Sequence, residues 1–134
     1  MSNQSDNVIG AVTNVHDIPA GVVLSARGSY TSSAELAANS VIEMVSLPLG
    51  AQPLGGIIEF DAFGAGRTLD IGFTGGDIDA MFDGIDVSAA GSAIANGTGS
   101  AVLAAADTVD VKVLGDVMDA DTTIVLTIFY VMVP

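Results

Sequence analysis

Hydrophobic and polar residues alternate with a period of two through several short stretches of this chain. That is the pattern of strands that bury one face. In "RTLDIGF", Leu69, Ile71 and Phe73 share a face while Thr68 and Asp70 point away. In "TVDVKVL", Val109, Val111 and Val113 face inward, with Asp110 and Lys112 outward. "SVIEMVS" and "GIIEFDAF" each set one Glu among apolar residues and predict strands over 40–47 and 56–63. "GVVLSARGSY" predicts a strand over 21–30, and "GSAVLAA" a weaker one over 99–105. The last segment, "TTIVLTIFYVMV", is apolar on both faces and rich in β-branched and aromatic residues. It predicts a central strand covered on both sides, by a second sheet or by a neighbouring subunit.

Gly, Asp, Asn and Pro separate these segments, and seven or eight short strands between such turns predict an all-β fold. The expected architecture is a jelly-roll-like antiparallel β-sandwich. "SAELAAN" at 33–39 fits one helical turn or a loop, and "GGDIDAMFDG" fits a short helix capped by Asp77. In "SLPLGAQPLGGIIEF", Pro48 and Pro53 deny the chain ladder hydrogen bonds, so 48–55 reads as a rigid crossover and not a central strand. Gly50, Gly55 and Gly56 would supply its reversal and a close backbone approach. The first twenty residues differ: a polar start, scattered Val8, Ile9, Val12 and Val15, then "HDIPAG" as a stop. They read as an extended N-terminal arm, 1–20, ahead of a sandwich domain over 21–134, with an edge strand as the competing reading.

Composition changes this picture in two ways. Half the residues are hydrophobic and mean hydropathy is +0.61, values that raise the question of a membrane. The run from Ile124 to Val133 is too short for a spanning helix, and the charge-free stretch from Val87 to Ala106 is broken by Gly91, Asn96, Gly97 and Gly99. The sequence therefore predicts a soluble chain, and its start, lacking a basic segment before an apolar one, reads as no secretory signal. Charge is the second point. Three basic residues face sixteen acidic ones for a formal net of -13, which disfavours nucleic acid and anionic membrane as partners. Only 14% of residues are charged, against about 25% in an average globular protein. So few charges with so much apolar surface predict an oligomer, its interface on the last strand around Phe129, Tyr130 and Met132. A monomeric sandwich with very apolar strands is the alternative.

Thirteen of the sixteen acids are Asp, which suits turns and strand ends and makes helix scarce. No cysteine is present, and His16, the single histidine, reads as an exposed or interface residue in the arm. "GGDIDAMFDGID" gathers Asp77, Asp79, Asp83 and Asp86, hard oxygen ligands of the kind calcium takes. It lacks the ligand spacing and closing Glu of a helical calcium loop, so Asp77, Asp79 and Asp83 stand as metal candidates beside the plainer reading of a solvated acidic turn. "GDVMDAD", with Asp116, Asp119 and Asp121, is a second such group. With no Trp and only two Tyr, aromatic platforms for sugars are scarce. The residues predict neither an enzyme nor a cofactor.

From residue 34 onward the order of features resembles a group of small tailed-bacteriophage virion structural proteins. The features are "VIEMVSLPLGA", "GGIIEFDAFGAGRTLDIG", "GGDIDAMFDG", "SAAGSAIANGTG", "DTVDVKV" and "TTIVLTIFYVM", covering about three quarters of the chain. Where the group often has a basic residue this chain has Leu49, after Pro48, and Met81, before Phe82, so no basic contact is carried over there. The resemblance implies a capsid decoration (cement) protein: a β-sandwich homotrimer, made in the host cytoplasm, that clamps major capsid protein on the outer capsid surface. Val8, Ile9, Val12 and Val15 of the arm would then be the capsid contact. A head-fibre or tail structural protein is the alternative within phages, and a calcium-dependent β-sandwich binding module the alternative of another class.

Overall fold

The computed structural model describes residues 3–4, 22–75, 80–96 and 101–133. Among them the structure is all β, with strands β1 (Asn3–Gln4), β2 (Leu24–Thr31), β3 (Val41–Leu47), β4 (Ala51–Phe60), β5 (Thr68–Phe73), β6 (Phe82–Asp86), β7 (Gly91–Asn96), β8 (Asp107–Leu114) and β9 (Thr123–Met132). One sheet runs β1-β3-β8-β5-β6, the other β2-β9-β4-β7. From β2 onward every connection crosses from one sheet to the other except β5 to β6. That alternation is the eight-stranded jelly roll, two sheets sharing one core. Pairing is antiparallel throughout, apart from β1, whose Asn3 and Gln4 lie parallel to Ile42 and Glu43 on the free edge of β3.

Period two builds the core. Val109, Val111 and Val113 of β8 are fully buried, beside Leu69 and Ile71 of β5 and Ile42, Val45 and Leu47 of β3. Facing them from the second sheet are Ile124, Leu126, Ile128 and Tyr130 of β9, with Ile58 and Phe60 of β4. Each such side chain contributes about 1.5–3 kcal/mol when fully buried. The strand at the C-terminal end is central, as its pattern predicts, paired with β2 on one side and β4 on the other.

Several local expectations need correction. The strand predicted over 56–63 is β4, and it starts earlier, so 51–55 is already sheet and not a crossover. Pro53 is accommodated because the ladder with β7 begins only at Gly55, and the pairing with β9 slips register between Pro53 and Gly55. Gly50, at φ +88°, makes the turn that leads in, and Gly56 sits so close to β9 that a Cβ there would overlap the Thr127 carbonyl. The strand expected over 99–105 is not present in its described part, 101–105; the strand lies at Gly91–Asn96, inside small-residue sequence with little β signal. The helix reading of "GGDIDAMFDG" fails in its second half, where Phe82–Asp86 is strand, while Asp77 lies outside the described residues. Of the two readings of 33–39 the loop is observed.

That loop is fastened to the turn before β9. Leu36 and Met118 exchange backbone hydrogen bonds of 2.8 and 2.9 Å. The fully buried Ser32 hydroxyl donates to the Asp119 carbonyl at 2.7 Å and accepts the Thr122 amide at 3.1 Å. Losing a buried partner on both sides costs more than either bond contributes. We predict that Ser32→Ala destabilises the fold by about 1–3 kcal/mol in urea unfolding, with a two-state transition retained. A change under about 0.5 kcal/mol would contradict this account of the fastening.

Candidate functional site

The two outward faces of the sandwich differ in chemistry. On the sheet containing β8, the outward positions are Thr108, Asp110, Lys112 and Leu114, flanked by Val41, Glu43 and Ser46 of β3 and by Thr68, Asp70 and Gly72 of β5. Most of this face is polar, and three of its four charged residues, Glu43, Asp70 and Asp110, are acidic. On the sheet containing β9, the outward row is Val125, Thr127, Phe129 and Val131, flanked by Ile57 of β4 and Ile94 of β7. That row is half-buried by its own neighbours, while Ile94 is 78% exposed. The strand positions of this face carry just two charges, Arg27 and Glu59, both exposed.

Asp110 and Asp70 point outward as their alternation predicts, yet both are buried. Gly72, opposite Asp110, leaves room for the loop after β5 to fold over the carboxylate. Thr74 and Thr108 donate their hydroxyls to its two oxygens, and Thr108 also reaches Glu43 at 3.3 Å. Burial pushes the Asp110 pKa up; the two threonine hydrogen bonds pull it down, and the negative charges of Glu43 and Asp107 push it up further, leaving it raised overall. Asp107 accepts the amides of Gly75 and Thr108, and Asp70 accepts the amide of Gly84 at 2.8 Å.

Other Asp residues serve turns. Asp86 accepts the Ser88 amide at 2.9 Å, which holds its pKa below the usual carboxylate range. Asp61 accepts the Thr123 amide at 3.0 Å, and Asp116 accepts the Val117 amide and pairs with Arg67 at 3.6 Å. Of the metal candidates, Asp77 and Asp79 lie outside the described residues, and Asp83 is exposed on β6. Among the described residues no three acidic side chains converge as a metal site.

The predicted interface residues separate. Phe129 lies on the outward face of β9, whereas Tyr130, one residue on, points into the core and is 5% exposed. Met132 shares the inward row and packs partly buried against the core. Along this strand Phe129 is thus the outward residue of the three, and Tyr130 offers little free surface. Val8, Ile9, Val12, Val15 and His16 lie outside the described residues. Sequence reasoning passed over Ile94, and the signal available was the absence of charge from Val87 to Ala106.

No protein-family model matches the chain, and no curated protein matches it. Solved structures do. The chain is similar to one in the capsid of Ralstonia phage GP4, with 29% identity, a TM-score of 0.79, and coverage of 98% of this chain and 97% of that one. It is also similar to a chain of the cyanophage Pam1 capsid asymmetric unit, at 22% identity and TM-score 0.73 over 92% and 93% of the two chains. A third, from the acidic stable capsid structure of Helicobacter pylori bacteriophage KHP30, has 16% identity and TM-score 0.62 over 85% and 90%. The latter two show the fold alone. The likeness to the GP4 chain supports a structural role in a virion.

The raised pKa of Asp110 has a thermodynamic sign. The folded chain binds this proton more tightly than the unfolded chain, so stability falls as pH rises from the ordinary carboxylate range through the raised value. We predict that Asp110→Asn stabilises the protein at pH 7, by up to about 1 kcal/mol, and that the gain shrinks toward pH 3. Urea unfolding at both pH values measures it, and a loss of stability at pH 7 would contradict it.

Proposed function

We propose that this chain is a non-enzymatic capsid decoration protein. It binds the outer surface of an assembled phage head as a homotrimer, bridges neighbouring major capsid protein subunits, and stabilises the shell. The observation that carries this reading is the likeness to a chain of the GP4 phage capsid over nearly the full length of both. The surface chemistry supports it. A protein added to an outer surface as a trimer needs a stiff fold, an apolar surface on which its copies meet and no reaction centre, and the sheet containing β9 carries such an apolar surface.

Charge narrows how attachment works. Of the three cations, Arg67 is mostly buried and is spent on the Phe63 carbonyl and on Asp116. Arg27 is exposed and Lys112 half-buried, so few basic groups are left to grip an acidic shell. The receiving surface is therefore apolar or basic. Individually modest contacts add up when a trimer engages several equivalent sites at once. Binding the assembled shell, and not its separated subunits, makes attachment stabilising. The arm, residues 1–20, adds a further contact through Val8, Ile9, Val12 and Val15, by pairing with a neighbouring sheet edge.

Shells bearing the protein should survive higher temperature or stronger osmotic shock than bare shells. Equal survival would remove the stabilising role, and failure to bind intact shells would direct attention to a head fibre or the tail. Deleting residues 1–20 should weaken shell binding several-fold and leave the thermal unfolding of the sandwich in place. Unchanged binding by the truncated chain would overturn the arm's part.

A further inference from the structure

Six of the seven large apolar side chains exposed among the described residues are Val22, Val23, Leu49, Leu54, Val102 and Val133. They are far apart in sequence and come together at one end of the sandwich. β2 begins there with Leu24 opposite Tyr130, and β4 begins with Ala51 opposite Met132. Gly50 ties the remaining segments in: its amide donates to the Leu103 carbonyl at 3.0 Å, and its carbonyl accepts the Val133 amide at 2.8 Å. Leu103 also donates to the Ala51 carbonyl at 2.8 Å. The contributing stretches 22–26, 44–58, 101–106 and 122–133 contain no charged residue. At the other end of the same sheet, where β4 stops and β9 starts, the connections carry Glu35, Asp61, Asp119 and Asp121.

We propose that the charge-free end of the β2-β9-β4-β7 sheet is the surface on which copies of this chain meet. The inference names the interface of the homotrimer proposed above, and rests on that reading for the number of copies. The occupant follows from charge. A molecule with a net charge of -13 repels its own copies wherever acids face each other. At this end the repulsion is weakest and the removal of apolar surface from water provides the attraction. A foreign partner selected by charge would be basic, and it would be drawn to the acidic end instead. The patch continues onto the outward face of β9 through Phe129 and Val131, where Arg27 and Glu59 offset one another.

Sedimentation equilibrium of the full chain at micromolar concentration tests this. The native chain should be trimeric, and Leu49→Asp and Val102→Asp should each weaken association at least tenfold while thermal unfolding of the domain is retained. Ser33→Asp, which adds the same charge at an exposed position near the acidic end, should leave association unchanged. Because the chain has no cysteine, Leu49→Cys gives a second measurement that introduces no charge. A short bis-maleimide should cross-link L49C between copies and leave S33C uncross-linked. A trimer that withstands L49D and V102D, and whose L49C does not cross-link, would overturn this surface and leave the homotrimer standing. A monomeric native chain would overturn both. A monomer that binds shells and loses that binding in L49D would place a shell protein, and not a second copy, on this end.

Discussion

Strand β9 has no polar face, and most of the architecture follows from accommodating it. No charged residue occurs from 122 to 133, so neither side of the strand gains by facing water. Its even-numbered residues are covered by the opposing sheet, with Ile124, Leu126 and Ile128 fully buried. Its edges are covered by β2 and β4, and β4 comes close because Gly56 lacks the Cβ that would strike the Thr127 carbonyl. The odd-numbered row keeps only the partial shelter of its neighbours. A two-layer sandwich covers one face of each sheet, so a strand apolar on both faces leaves one of them in need of a partner.

The acids are arranged around that demand. Asp is concentrated where a short carboxylate can take a backbone amide: Asp61 from Thr123, Asp86 from Ser88, Asp107 from Gly75 and Thr108, Asp116 from Val117. Those bonds close turns and set strand ends, and they place negative charge on the connections and on the outward face of β8. The charge of -13 is thus sorted to particular surfaces, and the strands of the sheet containing β9 keep just Arg27 and Glu59. Asp110 marks the cost of the arrangement. Its burial beside Glu43 opposes ionisation, and two threonine hydroxyls offset only part of that.

Strands with a strict alternation were legible from sequence. Val109, Val111 and Val113 occupy the core as their spacing requires, and the both-sided apolarity of 123–132 correctly marks a central strand. What escaped was set by tertiary context. β7 is built from Gly, Ser, Ala and Asn around Ile94, and only its ladder to β4 makes it a strand. Pro53 argued against sheet, yet a register slip ahead of the ladder with β7 accepts it. Tyr130 sits between residues of the outward row, and parity along the strand turns it inward. The candidate surface was legible only in pieces, since its segments are neighbours through the jelly-roll order and not through sequence.

A molecule with one uncharged surface and acid on its other faces is selective by exclusion as well as by attraction. Stacking through the β8 face would bring Glu43, Asp70 and Asp107 of two copies together, and the turns at the far end would do the same with Asp61, Asp119 and Asp121. Such pairings are disfavoured without any specific clash being built. A cyclic trimer is built head to tail, each copy meeting the next through two different parts of its surface, and it ends when the rotation between neighbours closes the ring. With both parts on the charge-free end, the closed ring uses up that surface, and further growth would have to run through acidic surface. Closure leaves the acidic faces outward on every copy, so the charge that blocks further stacking also keeps the finished assembly dispersed.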